Sequence, residues 1–279
     1  MHDMPNPASG DLLPFELVAP EARADFIVVC DHASNALPAE YGTLGLPARE
    51  FERHIAWDIG AAGVARRLAA ALSAPAVLGR FSRLLIDLNR GEDDPTIVMK
   101  LSDGAIVPGN RDVDARRNPQ EFARRIARFH APYHAEIERL IARARAQDIV
   151  PVIVSVHSFT PRWRQFERPW QTGLLWDRDD RLVRPLLAAL REEGLTAGDN
   201  EPYTGRLRND CMYAHATLHG LPHVLIEIRQ DLIESEEGQA EWASRYASHL
   251  ARAASSPGLR DIRFFGSHAD PSLPISPEN

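Results

Sequence analysis

The sequence predicts an α/β fold, a sandwich whose central mixed sheet is mostly parallel. Two features carry this: short, continuously apolar runs of strand composition, and long segments of helical period alternating with them. A third feature is that two of the apolar runs end in a histidine, which puts candidate chemistry at the carboxyl edge of the sheet, where α/β folds bind ligands. The 279 residues, 44% hydrophobic and 25% charged, fit one domain over 1–279 with a recognisable core at about 25–254 and peripheral arms.

Taken in order, residues 1–24 carry several prolines and read as an extended arm. Phe26-Ile27-Val28-Val29-Cys30 is apolar throughout, the pattern of a strand covered on both faces. A loop with Pro38, Gly42, Gly45 and Pro47 follows. Helical periodicity over 48–72 then predicts one long helix, irregular near Gly60 and Gly63. Further strands are predicted at 75–79, 84–88, 150–156, 173–176 and 224–229, and helices at 119–146, 180–193, 210–219 and 237–254. The stretch 91–117 is rich in Gly, Asp and Pro and reads as a long loop, a feature more often functional than idle in a compact domain. Beyond Ser255 the chain is again Pro- and Ser-rich and reads as peripheral.

Charge and composition narrow the function. A net charge of −7 argues against nucleic-acid binding, which needs a basic surface. It leaves small anionic substrates open, since a few local arginines reverse the field inside one pocket. Two cysteines, Cys30 and Cys211, are too few for a disulfide framework. No run approaches the roughly 18 apolar residues that span a bilayer. The N-terminal MHDMPNPASGDLLPFE has neither the basic region nor the apolar core of a secretory leader. A cytoplasmic protein with no membrane partner is expected.

Three segments converge on metal chemistry. Asp31-His32-Ala33-Ser34-Asn35 directly follows the first apolar strand, and its alternative reading is a polar turn and cap. His157 ends the apolar run 152–156, so parallel neighbouring strands would place both imidazoles at one sheet edge. Asp58 falls on the helical stripe of Phe51, Ile55, Ala62 and Ala69, pointing inward, where a carboxylate needs a partner or a metal. His54, four residues earlier, is a candidate outer partner; a plain surface ion pair is the competing reading. Two imidazoles and a carboxylate are the usual protein ligands of catalytic zinc, although iron, cobalt or manganese suit the same set.

Carbonyl hydrolysis also needs a base and a cation near the oxyanion. Glu227 and Arg229 lie two residues apart in the apolar strand Leu225-Ile226-Glu227-Ile228-Arg229 and therefore on one side, with Ile226 and Ile228 on the other. Arg83 precedes, and Asn89 and Arg90 follow, the apolar run 84–88, and a guanidinium there would bind a carboxylate bidentately. Pairing of Arg90 with Asp87, Glu92, Asp93 or Asp94 is the structural alternative. The histidines at 215, 219 and 223, and those at 130 and 134, have metal-like spacing. Pro222 and Pro132 interrupt the two sets; the first reads as helix-surface and loop residues and the second as structural. The aromatic and basic run 159–164 reads as a pocket rim.

Taken together, DHASN (31–35), HIAWDIGA (54–61), SRLLIDLNRGEDDP (82–95), VSVHSF (154–159) and LIEIRQDL (225–232) resemble the N-formylglutamate amidohydrolase family over most of the chain. The DLNR piece is also similar to aspartoacylases and succinylglutamate desuccinylases, relatives of the zinc carboxypeptidases. The resemblance implies a three-layer, phosphorylase/hydrolase-like fold and zinc-dependent hydrolysis of an N-acyl amide. It implies that Asn89 and Arg90 hold a substrate carboxylate. Zinc carboxypeptidases carry Glu three residues after the first histidine ligand, where this chain has Asn35; cell-wall amidases of similar fold take their acidic ligand from the following helix, where Asp58 stands.

The expected site is therefore zinc on His32, Asp58 and His157, with Glu227 as base, Arg83 or Arg229 at the oxyanion, and Asn89 and Arg90 on the substrate. The expected substrate is a small N-acyl amino acid. A cell-wall or peptide amidase, or a metal-free protein binding a small carboxylate through Arg90, are the competing readings.

Overall fold

The computed structural model describes residues 13–270. Eleven strands are present among these: β1 (Phe15–Val18), β2 (Phe26–Cys30), β3 (Ala76–Gly79), β4 (Leu101–Ser102), β5 (Ala105–Ile106), β6 (Val152–Phe159), β7 (Arg162–Trp163), β8 (Phe166–Glu167), β9 (Thr172–Leu175), β10 (Ala197–Asp199) and β11 (His223–Arg229). The helices are α1 (Ala61–Leu72), α2 (Pro119–Arg125), α3 (Ala131–Arg145), α4 (Val183–Glu192), α5 (Cys211–His215) and α6 (Glu236–Ala254).

Seven strands form one sheet in the order β1-β3-β2-β6-β11-β9-β10. The centre β3-β2-β6-β11 is parallel, while β1 and the β9-β10 pair join it antiparallel at either side. The expected mostly parallel, mixed sheet is thus observed. Its strands are buried on both faces because alternate side chains feed two cores. Val28, Cys30, Val154, Val156, Val224, Ile226 and Ile228 pack with α1, α4 and α6. Ile27, Val29, Val77, Ile153 and Leu225 pack against Tyr133, Ile137 and Leu140 of α3 and Met212 of α5. That accounts for the unbroken apolar runs read as strands.

The local differences have physical causes. The predicted helix over 48–72 is two pieces: a 3-10 turn at Ala48–Glu52 and α1, joined by a run of turns. The joint is fixed by Gly60, which has φ +80°; a Cβ there would lie 2.3 Å from the Ile233 carbonyl oxygen. The predicted strand at 84–88 is a buried loop. Its carbonyls bond to side chains instead of a neighbouring strand: Leu84 accepts from Asn110 Nδ2 at 2.7 Å and Leu85 from Arg125 Nη1 at 2.9 Å. The predicted helix 119–146 is α2 and α3 joined by a π-helical turn, Ile126–His130, which accommodates Pro132 near the start of α3. Part of the expected N-terminal arm, residues 1–12, lies outside the described residues, and the remainder supplies β1. Within the predicted loop 91–117, β4 and β5 pair as a small hairpin. No described helix is long and apolar enough to cross a membrane.

Candidate metal and catalytic site

At the carboxyl ends of β2, β6 and β11 lies a cavity of about 460 Å³. It is lined by His32, Asp58, Arg83, Asn89, Arg90, His157 and Glu227, together with His54, Phe159, Tyr203, Arg206 and Asp210. Parallel pairing of β2, β6 and β11 brings their ends to one edge, and Glu227 stands directly opposite His157 in the ladder. Asp58 reaches the same point from the turn segment before α1, where its N–H donates to the His32 carbonyl at 2.9 Å. The inward direction expected of Asp58 holds, although no helix presents it.

Both imidazoles turn Nδ1 toward Asp58. Its Oδ2 is 2.8 Å from His157 Nδ1 and 3.4 Å from His32 Nδ1. Each Nε2 is held by a different buried carboxylate: His32 by Asp87 at 2.7 Å and His157 by Asp31 at 3.0 Å. Asp31 in turn accepts from the Tyr133 hydroxyl at 2.9 Å. These carboxylates fix both ring orientations, so that Nδ1 is the nitrogen each ring would offer to an ion. Asp31 and Asp87, missed as functional residues, supply these partners. The Asp-His pair at 31–32 was a local hint, but the contacts join residues 126 and 55 positions apart.

The donor set fits a divalent ion. His32 Nδ1 is buried and has no hydrogen-bond partner, and one ligand atom from each of His32, Asp58 and His157 lies within 4.8 Å of the others. The Arg83 guanidinium lies 2.7 Å from Asp87 and 3.7 Å from Asp58, while Asp31 pairs with His157. Three buried carboxylates around the two rings favour positive charge there, whether a proton on His157 or a divalent ion. Burial raises the Asp58 pKa, but His32 and His157 outweigh it and hold the carboxyl below its usual range. Burial lowers that of His157, yet its bonds to Asp31 and Asp58 carry it well above the ordinary imidazole value.

Glu227 behaves oppositely. Its Oε2 is buried without a partner, and burial pushes its carboxyl up to about 7. Asp210, the N-cap of α5, is also raised to about 7 by burial. Asn89 Oδ1 accepts from the Cys211 N–H at 3.0 Å, which leaves its Nδ2 as a donor. Arg90 donates Nη1 to the Asn89 carbonyl at 2.7 Å and lies 3.7 Å from Asp94, one of its expected structural partners.

Arg229 does not join the site. At the end of β11 its guanidinium turns to Asp231, with bonds of 2.8 and 3.1 Å, and is absent from the cavity wall. Arg83 is the guanidinium beside Asp58. His54 lines the cavity but makes no hydrogen bond to Asp58; its nearest carboxylate is Asp103 at 3.6 Å. The run after His157 does contribute to the wall, through Phe159 and Thr160, and Arg168 stacks over Trp163 and Tyr203 at 5.6 and 5.0 Å. Contrary to the surface placement expected of them, His215 and His223 are buried.

A family model described as N-formylglutamate amidohydrolase matches residues 24–234. Among solved structures, a gene product of Agrobacterium tumefaciens is 36% identical, with 87% of this chain and 95% of that one covered and a TM-score of 0.82. N-formylglutamate amidohydrolase from Ralstonia eutropha JMP134 is 23% identical, with 87% and 97% covered and a TM-score of 0.58, a likeness of fold. No curated protein matches.

Proposed function

The chain belongs to the N-formylglutamate amidohydrolase family, a family of amide-bond hydrolases, and from that premise we propose that it hydrolyses the N-acyl amide of a small carboxylate-bearing substrate, such as an N-formyl or N-acyl amino acid, with a divalent ion, zinc first. The observation that carries this reading is the pairing of two carboxylate-backed imidazoles and Asp58 with an unpartnered buried glutamate across one cavity.

His32, Asp58 and His157 would hold the ion, which when bound acts as a Lewis acid and lowers the pKa of water. Asp31 and Asp87 keep the two rings aimed at it. Glu227, with a pKa near neutrality, takes the proton from the attacking water and delivers it to the departing amine nitrogen. Arg83, held in place by Asp87, presents positive charge where the carbonyl oxygen becomes negative. Asn89 Nδ2 and the Arg90 guanidinium receive the substrate carboxylate. A small, partly polar cavity of this size suits an acylated amino acid.

The test is an activity panel of zinc-loaded protein against N-acyl amino acids, formylglutamate included, and against the matching amides without a free carboxylate. Hydrolysis confined to the carboxylates is expected. Glu227→Gln should retain the ion and lower kcat by about 10²–10⁴-fold. Full turnover by that variant removes Glu227 from the reaction.

A further inference from the structure

Behind the cavity wall that carries Asn89 and Asp210 lies a second group of donors with no part in the reaction above. His134 of α3 and Cys211 and His215 of α5 place one imidazole or thiol donor each within 4.8 Å of the others. None of the three lines the cavity. The His134 and His215 rings stack at 5.0 Å and 22°, with His134 Nδ1 2.7 Å from His215 Nε2. His215 Nδ1 lies 2.5 Å from the Glu138 carboxylate, and His134 Nε2 is buried with no hydrogen-bond partner.

These contacts constrain the protons. Glu138 accepts the Nδ1 proton of His215, so in the neutral ring His215 Nε2 carries a lone pair. If His134 donates its Nδ1 proton to that lone pair, its own Nε2 is a bare acceptor in the interior. If the proton sits on Nε2 instead, two lone pairs face each other at 2.7 Å. Either tautomer leaves buried polar capacity unused, which native interiors avoid. A cation placed between His134 Nδ1 and His215 Nε2 takes both facing lone pairs of the second tautomer, and the adjacent Cys211 adds the softest donor available to a side chain. Oxygen-preferring ions do not select two nitrogens and a sulfur; zinc and copper(I) do.

We infer that His134, Cys211 and His215 bind a thiophilic transition-metal ion, zinc first, at a structural site separate from the cavity. The Cys211 thiol loses its proton to solvent as the ion binds, and three protein donors leave a further position to water. The site would stiffen the substrate wall, because the Cys211 N–H bonds Asn89 and the neighbouring His130 Nε2 bonds the Arg90 carbonyl at 2.8 Å. Glu138 acts as an orienting partner for His215, as carboxylates do behind metal-bound histidines.

Cobalt(II) substitution of the full chain separates the two sites, because the cavity set contains only nitrogen and oxygen donors. A thiolate-to-cobalt charge-transfer band in the near ultraviolet is expected, together with two equivalents of metal per chain by elemental analysis. Cys211→Ser should abolish the band and remove one equivalent; Asp58→Asn should leave the band. If Cys211→Ser fails to fold, His134→Gln and the unmodified chain still decide the matter. Absence of the band from the unmodified chain, or its survival in Cys211→Ser, overturns the inference and leaves His134 and His215 as a simple hydrogen-bonded pair. One equivalent with the band intact would support it while removing the ion from the cavity.

Discussion

Two histidine clusters adjoin the same buried aspartate and differ in what surrounds their rings. His157 bonds Asp31 directly, and Tyr133, the neighbour of His134, bonds it through its hydroxyl. In the first cluster both imidazoles are backed by buried carboxylates and open onto a cavity that also holds Glu227 and Arg83. In the second, His215 is backed by half-exposed Glu138, and no donor reaches the cavity. The contrast separates ligation from catalysis. Donors alone hold an ion; turnover also requires room for a substrate and a base kept unpaired at some cost to the fold.

The harshest way to break that contrast is Asp58→Asn, which removes the carboxylate shared by His32 and His157. Hydrolysis should fall by about 10³-fold or more, since a catalytic ion contributes several kcal/mol to the barrier. One equivalent of metal should be lost at the same time. Activity within tenfold of the unmodified chain would mean that the cavity works without an ion at Asp58. Asp87→Asn is gentler, because it keeps all three proposed ligands and loosens only the contacts that orient His32 and Arg83. Competition with a chelator should show the cavity ion bound about 10–100-fold more weakly, whereas Glu138→Gln should leave that affinity unchanged. Equal effects from the two would erase the distinction between the clusters.

The smallest expected effect concerns stability. Burial raises Glu227 to about 7 from an ordinary value of 4.5, so the folded chain holds this proton more tightly than the unfolded chain. Stability therefore falls as pH rises through that interval, and the penalty is absent below it. In metal-free protein, Glu227→Gln should raise Tm by roughly 2–6 °C at about pH 8 and leave it unchanged near pH 4. Melting curves at both values check the sign. No gain at the higher pH would mean that the carboxylate is solvated and the cavity less secluded than its burial indicates.

The buried strands were legible because two-sided burial writes an unbroken apolar run, as at Phe26–Cys30. The same signal misled at 84–88. That run, apolar except for Asp87, is equally buried, but its Leu84 and Leu85 carbonyls are satisfied by Asn110 and Arg125, residues no local pattern links to it. His32 and His157 stood out because each follows such a run. Asp58 was found through a helical stripe that does not exist, since the helix begins three residues later. Its side chain still points inward, because the N–H bond to the His32 carbonyl sets the segment against β2. Arg229 failed for a complementary reason. Strand period fixed its side relative to Glu227, but a long side chain at a strand end is free to swing to Asp231. The paired Asp31 and Asp87 depend on contacts between distant segments and leave only a faint trace in the sequence.

The opposition of Glu227 and His157 in the β11-β6 ladder has a consequence for how this protein can fail. A slip of one residue between those strands would exchange Glu227 for Ile226 or Ile228 and present an aliphatic wall to the substrate. It would also drive the carboxylate into the apolar layer against α6, which opposes the slip on its own account. The alternation that assembles the core thus proofreads the placement of Glu227, the proposed base. A misaligned molecule is penalised in folding by the same error that would make it inactive.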